Sequence, residues 1–332
     1  MKNIKHTKRC VICLLSESFP DSGLDSDNTC KYCRDFKLDK DKETINLNQN
    51  RIHDILTTTR GENNYDVIVA YSGGKDSTFT LKLLKENYNL RICAMLIDNN
   101  FVSRQAFINA RSVVDFLGID LIINRPSSKF MHNLYNKSIE GNMYSKDQLK
   151  RANAACLSCI GIINSIVLNE SVSKKIPLIA GGYIGGQIPE KSGMLKISPN
   201  LFRESRKRQI EKLKNSVGKE AESYMNVESS NFHPIIINPL LGLNYDEKYI
   251  IQEISKIGWI LPNDTGKSSS NCLLNDYAIS KHYLRYKYHP YEAEICLQVR
   301  RGMLSKKDAM LKLNDIKDLE QFKHIDVKLS EI

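Results

Sequence analysis

One stretch of the sequence decides the fold: Val67-Ile68-Val69-Ala70-Tyr71-Ser72-Gly73-Gly74-Lys75-Asp76-Ser77. Its first residues are β-branched or small, which is typical of a buried parallel strand. The apolar residues beyond it recur with helical spacing, so the glycine pair lies in a strand-to-helix turn. Glycines there let backbone N–H groups converge on an anion, and the start of the helix adds partial positive charge. With the charge of Lys75, the stretch predicts a site for a phosphate group.

Two common phosphate loops are excluded by spacing. A Walker A loop would need glycine where Val69 stands, and a dinucleotide fingerprint would need a third glycine further on. Ser-Gly-Gly-Lys-Asp-Ser instead resembles, at every position, the PP-loop of the ATP-pyrophosphatase superfamily. The resemblance implies ATP cleavage to AMP and pyrophosphate, with adenylation of a substrate oxygen. It also implies that Lys75 and Asp76 are catalytic, that Asp76 holds Mg²⁺, and that ATP is bound by Ala70, Ser72, Gly73, Gly74, Lys75, Asp76 and Ser77. The alternative is a plain glycine turn in which Asp76 caps the helix.

Strands alternate with helices after this point, which predicts an α/β fold with a doubly wound parallel sheet of the PP-loop type. We place the strands at about 66–71, 91–97, 120–124, 176–180 and 233–240, and helices at 77–87, 103–117 and 247–257. Asp98 follows the second strand, where it would contact adenosine or cap a helix. Gly181 and Gly182 follow the fourth strand and would let the backbone approach the nucleotide.

The chain divides into four predicted parts. Residues 1–40 form a cysteine-rich zinc-ribbon-like module, 41–62 a helical connector, 63–255 the ATP-binding α/β domain, and 256–332 a loop and a helical region. Within the last part, 262–272 is a polar loop that could close over the ligand edge of the sheet. Ser305 is the predicted N-cap of the final helix.

Composition favours an anionic partner but does not choose one. The chain has 332 residues and a formal net charge of +10, which suits ATP, RNA or a nucleotide-sugar. Much of the excess lies in residues 203–214, either an RNA-facing helix or a solvated helix face. The N-terminal residues lack the apolar stretch of a secretory signal, and no apolar run reaches membrane-spanning length. We expect a cytoplasmic protein without a membrane partner.

Four of the nine cysteines have the spacing of a zinc site. Cys10-x-x-Cys13 and Cys30-x-x-Cys33 are two knuckles separated by a loop rich in Asp, Gly and Asn. Four thiolates leave no open position on zinc, so such an ion would be structural. A redox or disulfide role for these four is the alternative.

Three further cysteines point to sulfur chemistry. Cys156-x-x-Cys159 precedes an apolar helical pattern, and Cys272 stands in the polar loop. Thiols at a helix N-terminus tend to have lowered pKa values. These three could hold a [4Fe–4S] cluster with one open iron, or carry a persulfide and resolve it as a disulfide. They could also be buried residues without chemistry, as we expect of Cys93 and Cys296.

The order of these motifs resembles the thiolating branch of the superfamily, whose members put sulfur into tRNA bases or purines. That resemblance implies catalytic roles for Cys156, Cys159 and Cys272, with a separate sulfur donor as partner. A second resemblance, through Arg9-Cys10-Val11-Ile12-Cys13, is to the N-acetyl sugar amidotransferases of surface-polysaccharide synthesis. These enzymes take ammonia from a glutaminase subunit. A non-catalytic nucleotide- or RNA-binding protein is a third reading. The oligomeric state stays open, with a homodimer as one option.

Overall fold

The computed structural model describes residues 7–62 and 64–331. Residues 1–6, which carry part of the expectation about a secretory signal, lie outside the described residues. The strands are β1 (Val67–Ala70), β2 (Ile92–Ile97), β3 (Asp120–Asn124), β4 (Leu178–Ala180), β5 (Met194–Lys196) and β6 (Ile235–Ile237). The helices are α1 (Lys31–Asp35), α2 (Leu38–Thr58), α3 (Lys75–Tyr88), α4 (Arg104–Leu117), α5 (Ser128–Glu140), α6 (Lys146–Leu149), α7 (Ala154–Ser173), α8 (Pro199–Val217), α9 (Glu220–Met225), α10 (Glu247–Ser255), α11 (Asn275–Tyr286), α12 (Glu292–Arg300), α13 (Lys306–Leu313) and α14 (Lys323–Ser330). Short 3₁₀ helices span Glu190–Gly193, Pro239–Gly242 and Leu319–Phe322.

The six strands form one sheet in the order β3-β2-β1-β4-β6-β5. Every neighbouring pair is parallel except β5 with β6. The predicted α/β class and the five predicted strands are confirmed, and β5 is an antiparallel edge strand that the sequence did not indicate. Strands β2 and β3 are added on one side of β1, and β4 is added on its other side. The strand order therefore reverses between β1 and β4. At such a switch point the loops after neighbouring strands separate and leave a crevice for a ligand.

Side chains of the central strands alternate between two apolar layers. Val67 and Val69 of β1 pack with α2, α3, α4 and α10, whereas Ile68 packs with α7 on the opposite face. Burial on both faces explains why β1 is continuously apolar. The register of β1 against β2 and β4 brings the loops after all three strands to one edge, so the predicted ligand edge exists.

Helix α7 has the length and composition of a membrane span, but 44% of its most apolar window is buried inside the fold. Its apolar side chains pack on the sheet and on α5, in two of the buried clusters. The apolar surface of α7 therefore has partners within the protein.

The C-terminal region is helical, as predicted, but the helix that Ser305 caps is not the final one. Ser305 does cap α13, with its hydroxyl accepting from the Asp308 N–H, but α13 is followed by α14. Helix α14 packs Ile325 and Leu329 into the cluster formed with α5 and α7. The proposed division into four parts stays a prediction.

Candidate active site

The loop between β1 and α3 forms a cradle of donors at a helix start. Helix α3 begins at Lys75, and Gly74 is its N-cap without a side-chain cap. The hydroxyls of Ser72 and Ser77 lie 3.0 Å apart, and the Gly74 N–H donates to Ser72 Oγ at 3.3 Å. Gly73 has φ of 73°, and a Cβ there would lie 2.2 Å from the Ala106 carbonyl oxygen. Only glycine fits at this position, so the turn requires glycine at residue 73.

Lys75 is held by two carboxylates at the rim of the cradle. Its Nζ lies 2.8 Å from Asp76 Oδ2 and 3.6 Å from Glu247 Oε1. Burial alone would lower the pKa of Lys75, but Asp76, Tyr245 and Glu247 together raise it well above its usual value. The Tyr245 hydroxyl donates to Asp76 Oδ1 at 2.8 Å. Lys75 is thus a fixed positive charge, and Asp76 does not cap the helix.

The loop after β4 packs directly against the cradle. A Cβ on Gly182 would lie 2.8 Å from the Ser77 backbone nitrogen, and the Gly181 N–H donates to the Ile237 carbonyl at 3.0 Å. Gly182 is therefore close to α3, whereas Gly181 contacts β6, and the nucleotide role of both stays a prediction. Asp98 lies at the same edge, where its Oδ1 accepts from the Asn100 N–H at 3.0 Å and its Oδ2 lies 3.3 Å from Arg125. Ser103, not Asp98, caps α4.

The polar loop 262–272 closes over this edge. Ser270 Oγ accepts a hydrogen bond from the Lys75 N–H at 3.0 Å, and Asp264 accepts from Ser103 Oγ at 2.7 Å. The Ser103 N–H donates to the Asn271 carbonyl, and Cys272 pairs with Val102 in an antiparallel bridge. These contacts fasten the loop both to the cradle and to the segment that follows β2.

Cys156, Cys159 and Cys272 lie near one another beyond the cradle; Cys159 is buried, and Cys156 and Cys272 are half-buried. Cys156 is in the first turn of α7 and Cys159 in the second, and Asn153 caps the helix through the Cys156 N–H. Electrostatic interactions link Cys272 with both. We call these residues and their polar neighbours the thiol pocket: Asn99, Asn153, Cys156, Cys159, Cys272, Asn275 and Tyr291.

The expected lowering of the thiol pKa values is wrong. Burial raises the pKa of Cys156 to about 11, and it also raises the pKa values of Cys159 and Cys272. A helix start is worth at most about 2 kcal/mol to a nearby charge. Desolvation outweighs that term, because it can shift the pKa of a buried group by several units. The raised pKa values keep these three thiols neutral at neutral pH.

The four knuckle cysteines do come together. Cys10 Sγ lies 3.7 Å from Cys33 Sγ, and Cys13 Sγ lies 3.6 Å from Cys30 Sγ. All four sulfurs are within 4.8 Å of one another. Zinc–sulfur bonds of about 2.3 Å in a tetrahedron place thiolates about 3.8 Å apart, so this donor set fits Zn²⁺. Within the part of the chain that the structure describes, no other group of three or more His, Cys, Asp or Glu closes to that spacing. The thiol pocket is thus not a second site of this kind, and a cluster would hold its thiolates farther apart than one ion does.

Two known proteins are similar to this chain in sequence. No family model matches the chain. An uncharacterized protein of Methanocaldococcus jannaschii is 26% identical over 266 residues, which is 79% of this chain and 77% of that protein. The glutamine-hydrolysing GMP synthase of Candida glabrata is 35% identical over 94 residues, 28% of this chain but only 17% of the synthase. The sequence of the loop and its place between β1 and α3 are those of a PP-loop, and the chain is similar to the ATP-pyrophosphatase superfamily in this loop.

Two solved structures are similar at low scores. The U34-tRNA thiolase NcsA of Methanococcus maripaludis, with its [4Fe–4S] cluster, has a TM-score of 0.36 and 16% identity over 94% of this chain and 93% of that one. The NH₃-dependent NAD synthetase of Campylobacter jejuni has a TM-score of 0.30 and 17% identity over 46% of this chain and 59% of that one. Neither similarity assigns a function to this chain.

The PP-loop has neighbours that the sequence did not indicate. Tyr245 and Glu247 reach Asp76 and Lys75 from the start of α10, and the Trp259 indole N–H donates to the Gly73 carbonyl at 2.9 Å. Glu294 of α12 accepts from Gln187 at 3.0 Å, and burial raises its pKa. All of them are far from residue 75 in sequence. The sequence predicted a helix at 247–257 but gave no signal that its start contacts the loop.

Proposed function

We propose that the protein adenylates a substrate oxygen with ATP, releases pyrophosphate, and then transfers sulfur to the activated carbon. One observation carries the proposal: loop 262–272 joins the PP-loop cradle, through Ser270, to a group of three neighbouring thiols, through Cys272. A PP-loop protein without sulfur chemistry has no need for thiols in that position. The acceptor is a nucleobase or another oxo compound, free or within RNA.

The cradle residues act on the leaving pyrophosphate. As the substrate oxygen bonds to the α-phosphorus of ATP, the bond to the β-phosphate breaks and negative charge grows on the pyrophosphate. The N–H groups at the start of α3, the two serine hydroxyls and Lys75 stabilise this charge, because they are oriented before the reaction begins. Mg²⁺ held by Asp76 would add positive charge between phosphate oxygens. Zinc at the knuckles would be structural.

The thiol pocket would supply the sulfur. Either Cys156, Cys159 or Cys272 carries a persulfide, or the three hold a [4Fe–4S] cluster. In the persulfide route the terminal sulfur bonds to the adenylated carbon and AMP leaves with the oxygen. A second thiol of the pocket attacks the inner sulfur, so the S–S bond of the persulfide breaks and a disulfide forms, which an external thiol then reduces. A separate protein or small molecule would provide sulfur. All nine cysteines are free thiols in the structure, which suits the reducing cytoplasm that we propose as the location.

Amidation is the second candidate, because the knuckle start also resembles the sugar amidotransferases. That reaction would share the cradle but would need no thiols. Replacing Cys156 or Cys159 by Ser therefore separates the two readings: product is lost in sulfur transfer and retained in amidation, while AMP formation persists in both.

The products that the protein forms from ATP test whether it adenylates a substrate. Purified protein with ATP, Mg²⁺ and candidate acceptors should form AMP and pyrophosphate. Lys75→Met should slow this step by about 10²- to 10³-fold, the usual cost of removing one stabilising charge. Formation of ADP, or no affinity for ATP, would refute the proposal.

A further inference from the structure

The guanidinium of Arg300, at the end of α12, contacts the knuckle module, which comprises residues 7–36. Its Nη1 donates to Cys13 Sγ at 3.4 Å. Two aromatic rings of the same part of the chain lie beside it, with ring centres 6.0 Å away for Tyr32 and 5.9 Å away for Phe36. These are distances at which a guanidinium is attracted to an aromatic face. The side chain of Arg300 is therefore held by one knuckle sulfur and two rings.

Arg300 has no carboxylate partner in the part of the chain that the structure describes. The neighbouring Arg301 has the usual surroundings of a buried arginine, since its Nη2 lies 2.7 Å from Asp41 Oδ1 and 2.6 Å from Glu190 Oε2. Arg300 is half-buried, and its Nε is buried without a hydrogen-bond partner among the described residues. Charges removed from water are ordinarily paired with an opposite charge. The group that faces Arg300 in place of a carboxylate is the set of knuckle sulfurs.

Zinc gives this set of sulfurs the negative charge that Arg300 lacks elsewhere. A Zn²⁺ ion on four thiolates leaves negative charge in excess, because the thiolates outnumber the charges of the ion. Cys10, Cys13 and Cys30 are fully buried, so water does not solvate that charge. Cys10 Sγ accepts the Cys30 backbone N–H at 3.3 Å, which offsets part of it. Arg300 adds a full positive charge at Cys13.

We propose that Arg300 stabilises the zinc-bound knuckle module through its hydrogen bond to Cys13, so that zinc binding and the docking of the module on α12 strengthen each other. The proposal is independent of the adenylation and sulfur transfer proposed above. Arg300 is a positioning residue, because it acts on the metal only through a ligand. The coupling is reciprocal: the factor by which docking raises zinc affinity is the factor by which zinc favours docking.

The coupling reaches the candidate active site through α12. Cys296, one turn before Arg300, is fully buried in the cluster of knuckle cysteines, so this face of the helix packs on the module. At the other end of α12, the hydroxyl of the N-cap residue Tyr291 lies 3.4 Å from Cys156 Sγ. Loss of zinc should therefore loosen a helix that borders the thiol pocket, and not only the module itself.

Zinc affinity tests the proposal. Purified full-length protein is loaded with one equivalent of Zn²⁺, and its affinity is measured by competition with EDTA. Arg300→Gln keeps a polar side chain and removes the charge. It should bind zinc about ten- to a hundredfold more weakly, the usual effect of losing the hydrogen-bond partner of a metal ligand. Arg300→Lys keeps the charge without the planar guanidinium, so its affinity should lie between the two. As the milder change, it decides the test if Arg300→Gln does not fold.

Arg301→Gln is the matched control, because it removes the adjacent arginine of the same helix, whose partners are carboxylates. It should be less stable than the wild type and keep the wild-type zinc affinity. The absorption of the Co²⁺-loaded protein is a readout that a merely structural role would not move. The thiolate-to-cobalt charge-transfer band should shift to lower energy in Arg300→Gln, since the Cys13 sulfur loses a donor and gives more electron density to the metal. It should stay in place in Arg301→Gln.

Hydrogen exchange measures the other direction of the coupling. Removal of zinc should increase exchange in residues 292–300 of the wild type, and it should have a smaller effect in Arg300→Gln. Three results would overturn the proposal: wild-type zinc affinity in the Arg300 variants, equal losses in Arg300→Gln and Arg301→Gln, or an unchanged cobalt band. A purified chain that binds no zinc would overturn it as well. AMP formation enters none of these measurements, so a failure of the proposed adenylation would leave the result intact.

Discussion

The backbone N–H of Lys75 donates a hydrogen bond to the hydroxyl of Ser270, 195 residues further along the chain, at 3.0 Å. This N–H is one of the donors that a helix leaves unpaired at its start, where an anion binds. Ser270 thus occupies a donor that pyrophosphate would use. Only one residue separates Ser270 from Cys272, so a ligand that displaces Ser270 also acts on the loop at the thiol pocket.

We predict that Ser270→Ala tightens the binding of pyrophosphate by about two- to fivefold, because the freed N–H is worth about 0.5–1 kcal/mol. Isothermal titration calorimetry with pyrophosphate and Mg²⁺ measures the change. Ser255→Ala, at an exposed serine of α10 that bonds only to its own helix, is the control. Weaker binding by Ser270→Ala would mean that the hydroxyl contacts the ligand instead of competing with it.

Gly182→Ala should disable the cradle. The added Cβ would lie 2.8 Å from the Ser77 nitrogen and 2.9 Å from its Cα, which are backbone atoms that cannot turn away. We expect the loop after β4 to shift, at a cost of about 1–3 kcal/mol in stability, and ATP affinity to fall by more than about tenfold. Gly118→Ala is the control, because φ there is 60° but no atom lies within 4 Å of the new Cβ. It should lose stability and keep ATP affinity.

The cradle, the central strands and the four knuckle cysteines could be predicted because each depends on a short local sequence pattern. The cradle is a continuous run around a glycine that the turn requires, so Ser72 to Ser77 could be located without a structure. The central strands could be located as well, because burial on both faces makes them continuously apolar. The knuckle spacing fixed the four sulfurs in the same way.

The parts that the sequence did not predict depend on tertiary contacts. Asn99 looks like an ordinary loop residue until Phe101 fixes its amide and α7 brings Cys159 to it. Strand β5 is only Met194–Lys196, and its last two residues are exposed, so it has no apolar pattern to recognise. The thiol pKa values were predicted in the wrong direction because the helix start is visible in the sequence, whereas the burial around Cys156 is not.

The knuckle module should depend on zinc. We predict about one zinc per wild-type chain and none in Cys13→Ser, because a tetrahedral site rarely survives the loss of one of four thiolates. The module docks on α12 through Glu292, which accepts from the Ser16 N–H at 2.8 Å, so zinc loss should expose residues 7–36 to hydrogen exchange. Metal analysis and exchange mass spectrometry measure both effects. Cys93→Ala, in buried β2, should keep its zinc. Iron in this site, or zinc retained in Cys13→Ser, would contradict the prediction.

His282 should make the fold sensitive to acid. Its ring is 4% exposed, packs between Tyr286 and Tyr288, and has no hydrogen-bond partner for either nitrogen in the described residues. Burial lowers the pKa of His282 to about 3, against about 6.5 in an unfolded chain. Between these values the unfolded chain binds a proton that the folded chain does not. Stability is therefore complete above about pH 6.5 and falls as the pH decreases, by up to about 1.4 kcal/mol per unit.

Replacing His282 by Phe keeps a ring between the two tyrosines and removes the titrating group. We predict that the free energy of unfolding, measured with urea, decreases between about pH 7 and about pH 5.5 by about 1 kcal/mol less in His282→Phe than in the wild type. His289, whose pKa burial also lowers to about 3, should keep part of the acid sensitivity in the variant. An equal decrease in both proteins would show that the His282 ring reaches water and protonates in the folded state.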